Sequence, residues 1–152
     1  IAVVRNSGTL KFYLDGVEKH SVSNTQDYSP NSGSPEPFIG QRGDNKSDYN
    51  GYISNLRMVV GTAVYTSDFT PAGPLSAITN TTLLTAHKNN EIVDGSSNAL
   101  TITKNGDVTA HASNPFPIDT TGYGSLYFDG SGDHAIADGS NLVVGTNDFT
   151  IE

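Results

Sequence analysis

Cysteine is absent from this chain. That excludes disulfide staples and thiolate metal sites, and it fits a bacterial or phage protein better than a small secreted animal domain. Tryptophan is absent too. Basic residues are scarce, 8 against 16 acidic ones, for a net charge of -8. A phosphate backbone or an anionic membrane surface calls for a basic face, so nucleic acid and membrane are not expected partners. No apolar run approaches the ~20 residues that span a bilayer as a helix. No stretch repeats its apolar residues with the 3.6-residue period of a helix. There is no leader-like segment, and the first residue is Ile1 rather than Met, so a piece of a longer protein is expected.

What fills the chain instead is Gly, Ser, Thr, Asn and Asp, the residues of turns and strand edges. A length of 152 residues suffices for one core. Ile1–Arg5 reads as a buried strand, Asn6-Ser7-Gly8 as a turn, and Thr9–Leu14 as an alternating strand with Leu10, Phe12 and Leu14 on one face. Asp15-Gly16 is a two-residue hairpin signal, and Val17–Val22 returns as a polar strand, completing a three-strand meander. Residues 23–37 are rich in Ser, Asn and Pro and form a loop. Phe38–Gly40 is a short strand, and 42–50 a polar loop. Gly51–Val60 reads as one strand with a bulge near Ser54-Asn55. Val64–Pro71 reads as a turn that tucks Tyr65 and Phe69 against the core, and Pro71–Pro74 as a linker.

A second set follows, with strands at Thr82–Ala86, Ile92–Gly95 and Leu100–Thr103 and a hairpin at Asn105-Gly106. Ser125–Phe128 and His134–Ala137 flank the Asp129–Asp133 turn, and Asp148–Glu152 is a further strand. Short strands separated by Gly-rich turns imply a sandwich or barrel. The fold class is therefore all-β.

Several phrases carry a resemblance. Ile1–Arg5, Leu10–Gly16, Phe38–Gly40, Gly51–Arg57 and Tyr65–Pro71 resemble the closing half of bacterial and phage laminin-G-like domains, members of the concanavalin A-like lectin/glucanase superfamily. Ser125–Gly130, Gly132-Asp133 and Gly145–Glu152 resemble the opening half. The resemblance implies an antiparallel jelly-roll β-sandwich. The halves stand in inverted order. Residues 1–76 would close one sandwich, and 77–152 would open the next in a tandem array, or the same one if the chain is permuted. The middle of the unit, where the family usually carries a tryptophan, is missing. Two halves packed as one sandwich are the expectation, since unpaired sheet edges are costly.

For catalysis, the glucanase branch would imply two carboxylates on one strand face. Glu18, Glu36, Glu91 and Glu152 are isolated, as are His20, His87, His111 and His134, so no enzyme is expected. For metal, Ca2+ is the one cofactor the residues suggest, through the hard oxygens of Asp44 and Asp48 or of Asp129 and Asp133. The loop at 42–50 resembles the calcium loop of the pentraxin branch, with Arg42 where a carboxylate would stand. For sugar, the 42–50 loop offers Tyr49 beside Asn45, Asp48 and Asn50. Tyr28, Tyr52, Tyr65 and Tyr123 are further aromatics, with Tyr52 and Tyr65 read as packing groups. The Arg42-Gly43-Asp44 tripeptide and the acceptor patterns at Asn45 and Asn80 are short enough to arise by chance. The expected role is an extracellular or virion-surface module of a tail fibre or adhesin. Its expected partners are host or cell-surface glycans, copies of itself or other virion proteins. The alternative is a purely structural spacer.

Overall fold

A computed structural model describes residues 1–29, 37–42, 47–116, 122–139 and 142–152. The chain is all-β, with antiparallel pairing throughout. The strands are β1 (Ala2–Asn6), β2 (Thr9–Leu14), β3 (Val17–Ser23), β4 (Phe38–Ile39), β5 (Asn50–Ile53) and β6 (Leu56–Val60). They continue as β7 (Thr81–Thr85), β8 (Thr101–Asn105), β9 (Thr109–His111), β10 (Ser125–Asp129), β11 (His134–Asp138) and β12 (Phe149–Ile151).

One layer is a six-stranded sheet in the order β3-β2-β1-β12-β6-β7. The facing layer consists of two three-stranded sheets, β5-β10-β9 and β4-β11-β8. The two sheets share one strand order, with β10 leading into β11 through Asp129–Asp133 and β8 into β9 through Gly106-Asp107, so this layer reads as one sheet bent at those turns. Residues 1–76 and 77–152 both contribute strands to all three sheets. The core lies between the layers. Phe128, Leu126, Ala135 and Ala137 of the bent layer meet Met58, Leu83 and Phe149 of the six-stranded sheet, burial that is the main favourable term in folding.

The meander β1–β2–β3 turns at Ser7-Gly8 and Asp15-Gly16, where all four residues have positive φ, as two-residue hairpins require. A Cβ on Gly16 would fall 1.8 Å from the Phe69 carbonyl oxygen, so only glycine fits. Across the outer face of the six-stranded sheet, Ala63, Tyr65 and Phe69 pack on Ala2, Val4 and Tyr13, as the reading of Val64–Pro71 expected. Tyr65 stacks on Phe69 with centroids 3.6 Å apart. Its hydroxyl donates to Glu152 Oε2 at 2.6 Å, and burial first, then that bond, push it up to about 12. Glu152 in turn holds the buried Arg57 guanidinium, which also donates to the Ser76 carbonyl.

On the other face, Arg5 is 1% exposed. Its guanidinium donates to the carbonyls of Gln26 (2.6 Å), Gly145 (2.7 Å) and Asn147 (2.8 Å). It also lies 5.1 Å from the ring centroids of both Tyr28 and Phe149. One side chain thus joins β1 to two loops far apart in sequence.

Three elements differ from the sequence expectations. Gly51–Val60 is not one strand. Asn55 turns it at φ 56°, its Oδ1 accepts Leu75 N–H and its own N–H goes to the Ala86 carbonyl, so β5 and β6 join opposite layers. Ile92–Gly95 is not a strand. Asp94 accepts from the N–H groups of Leu84, Ser96 and Leu100, folding this stretch into a loop that covers the free edge of β7. Asn105-Gly106 is not a hairpin, because β8 and β9 lie in different sheets. Pro71–Pro74, read as a linker, carries no strand and packs Gly73 against the Phe116 ring, where a Cβ would lie 1.9 Å away.

Candidate functional site

The bend of the second layer gathers most of the acidic residues singled out above. Asp129–Asp133 is the corner of the middle strand, and Gly106-Asp107 is the corner beside it. Asp133 is 1% exposed. One of its oxygens accepts Asp107 N–H and the other Asp129 N–H, each at 2.8 Å. Asp129's amide above all holds its carboxyl below the usual range, against the effect of burial. Asp48 braces the third strand: it accepts from Gln41 Nε2 at 2.7 Å and Gly132 N–H at 2.9 Å, which lower its pKa. Carboxyl oxygens of Asp107, Asp129 and Asp133 lie within 4.8 Å of one another. The negative charges of Asp133 and then Asp129 push Asp107 up.

The structure therefore joins the two acidic candidates, Asp48 and the Asp129/Asp133 pair, at one corner. Asp44 and Asn45 lie outside the described residues. Calcium wants six to eight oxygen ligands. Here both oxygens of Asp133 and both of Asp48 face N–H donors, and the exposed remainder is Asp107 and Asp129. Among the described residues the carboxyl oxygens of Asp107, Asp129 and Asp133 stand close enough to share a cation, while the hydrogen bonds of Asp133 and Asp48 tie the bend together.

Tyr49 and Asn50 share this end. Tyr49 is 43% exposed, but its hydroxyl donates to the Tyr52 carbonyl and its ring edge covers Phe128. Asn50 Nδ2 donates to the Asp129 carbonyl at 2.6 Å. Tyr28 is spent on Arg5, and Tyr65 on Phe69, as its reading as a packing group expected. Tyr123 is exposed and lies two residues before β10.

Tyr52 overturns its reading as a packing group. It is 47% exposed, on the outer face of β5-β10-β9, because alternation sends Gly51 and Ile53 inward. Opposite it in register is Tyr127, with ring centroids 5.0 Å apart. On the other side lies His111, 5.1 Å away. Ser113 N–H donates to His111 Nδ1 at 3.0 Å, which assigns the ring proton to the outward Nε2. Thr109, opposite Tyr127, and Asn50, opposite Asp129, extend this face. Ser125 shares it by alternation. Its hydroxyl is buried and has no hydrogen-bond partner, beneath the place where Tyr52 leans across β10 to His111. The sequence reading missed Tyr127, Thr109, His111 and Ser125 as a group. The signal was there in the alternation of Ser125, Tyr127 and Asp129, but the cross-strand partners come from three distant segments.

Residues 1–63 match one family model. That model describes the concanavalin A-like lectin/glucanases superfamily, to which this stretch is similar. The match runs from β1 through β6 and into the segment that covers the outer face. The superfamily supports a carbohydrate-binding or a structural module in general terms, and its description spans lectins and glucanases alike. Comparison with curated proteins and with solved structures gave no match.

Proposed function

We propose that the chain is a non-catalytic, carbohydrate-binding surface module of a phage tail fibre, other virion appendage or bacterial adhesin, acting outside the cell. One observation carries this reading: the rings of Tyr127, Tyr52 and His111 form a single patch on the outer face of β5-β10-β9. Aromatic rings offer a flat apolar surface to the C–H face of a sugar, and a few placed polar groups fix its hydroxyls. His111 Nε2, Thr109 and Asn50 supply those groups. The commitments of the carboxylates favour binding over catalysis. Glu18 is paired with Lys11 at 2.9 Å, Glu152 with Arg57 and Tyr65, and Asp133 with two backbone amides. On this reading residues 1–76 and 77–152 are the closing and opening halves of one sandwich in permuted order.

Amide NMR during titration with a mixture of neutral oligosaccharides tests the proposal. Shifts should concentrate on Tyr52, Thr109–His111 and Ser125–Asp129 and vanish in Tyr52→Ala. Shifts confined to the 47–50 loop, or none at all, would sink it.

A second reading has its own observation. Phe12 and Leu14 of β2 and Val17 and Val22 of β3 are each 37–45% exposed and share one face by register. An apolar face beside an unpaired edge strand favours assembly with copies of the same chain. Sedimentation that depends on protein concentration, and is abolished by Val22→Lys, would favour a spacer.

A further inference from the structure

We propose that the ligand of the Tyr52/Tyr127/His111 face is an electroneutral saccharide of more than one ring, laid along β10 towards Asn50 and Asp129. The inference rests on the carbohydrate-binding reading and specifies its ligand class.

The length follows from the rings. Three aromatic groups stand in series, with successive centroid separations of 5.0 and 5.1 Å, and one pyranose covers about one of them. From Ser125 to Asp129 the strand extends the face by about 13 Å, at roughly 3.3 Å per residue. Polar groups occur at both ends, His111 Nε2 at one and Asn50 at the other. The Ser125 hydroxyl, 1% exposed and without a hydrogen-bond partner, lies on this face opposite His111. A single sugar would leave most of this face wet.

The charge follows from the corner. The described residues on this face, namely Asn50, Tyr52, Thr109, His111, Ser125, Tyr127 and Asp129, include no lysine or arginine. The face runs directly onto the exposed carboxylates of Asp129 and Asp107, which already crowd Asp133. Two like charges some 7 Å from a ligand carboxylate, screened by water, weaken binding about tenfold. Uronates and other acidic sugars are thereby disfavoured, while an uncharged sugar is not.

Isothermal titration of the whole chain with neutral gluco-oligosaccharides of one to six rings, and with oligogalacturonates of equal length, tests this. Affinity for the neutral series should rise from one ring to three and then level off, with little dependence on salt. The uronates should bind about tenfold more weakly at low salt, a gap that added NaCl narrows and that Asp107→Asn, an exposed side chain, also narrows. Equal affinity for one ring and for three, or uronates binding as tightly as neutral sugars, would overturn the inference and leave carbohydrate binding standing. A flat titration with every saccharide would overturn both.

Discussion

Replacing Arg5 should separate two loops from the sheet. The guanidinium is buried against carbonyl oxygens of Gln26, Gly145 and Asn147 and between two aromatic rings. Hydrogen bonds to a charged donor contribute about 1.5–3 kcal/mol each. Their simple sum overstates the loss, because removing the cation also removes its desolvation cost, and loop carbonyls at the surface regain water. For Arg5→Met, which keeps the apolar stem, a loss of about 3–4 kcal/mol results. With a urea m-value of about 2 kcal/mol/M, the midpoint falls by roughly 2 M. Arg5→Lys keeps the charge but not the planar fork and should lose about 2 kcal/mol. Urea melts followed by tyrosine fluorescence measure both. Amide exchange should localise the damage to residues 24–29 and 142–148, with β6 and β7 unaffected. A cost below about 1 kcal/mol for Arg5→Met, or a lysine variant as stable as the parent, would refute the argument that the fork organises this end of the sandwich.

Gly16→Ala should cost about 2–4 kcal/mol, since φ is +77° and the added methyl meets the Phe69 backbone; thermal denaturation reads this directly. Asp94→Asn should cost about 2–3 kcal/mol, because the amide turns a donor towards N–H groups now bound by the carboxylate, and exchange at Leu84 and Leu100 should accelerate. Stability should also fall with acid in two windows. His87 is buried and its pKa is lowered, first by burial and then by Lys88. The unfolded chain therefore takes up that proton first, and stability held above pH ~6.5 is lost as pH drops through the lower folded value. Asp94, pushed up by burial but lowered overall by the amides of Leu100, Leu84 and Ser96, does the same below pH ~4. Melts from pH 8 to 3 should show both declines, and His87→Leu should remove the first.

Much of the fold was legible because its signals are local. Alternation marked β2, two positive-φ dipeptides marked the meander, and Tyr65 and Phe69 stood out as apolar residues in a turn. Asn55 misled because a single left-handed residue breaks an otherwise continuous pattern, and only its partners Leu75 and Ala86 show that it must. Ile92-Val93 looked like a strand by propensity, but Asp94 outbids the sheet for the backbone donors around it. At the site, the aspartates were legible as a chemical type and not as a role. Whether a carboxylate meets a cation or an amide depends on which corners fold beside it. Tyr52 was read as a packing group, whereas the register with Tyr127 turns it outward.

The place of β12 in the six-stranded sheet has a consequence for assembly kinetics. Residues 149–151 lie between β1 and β6, so the join between the meander and the rest of that layer spans nearly the entire chain. The β1–β2–β3 unit can form early from neighbouring residues, but it has no lateral partner on its inner side until Phe149–Ile151 arrives. Closure over so long a loop places the molecule among the slow, high-contact-order folders. Until Phe149–Ile151 docks, the facing edges of β1 and β6 stay unpaired.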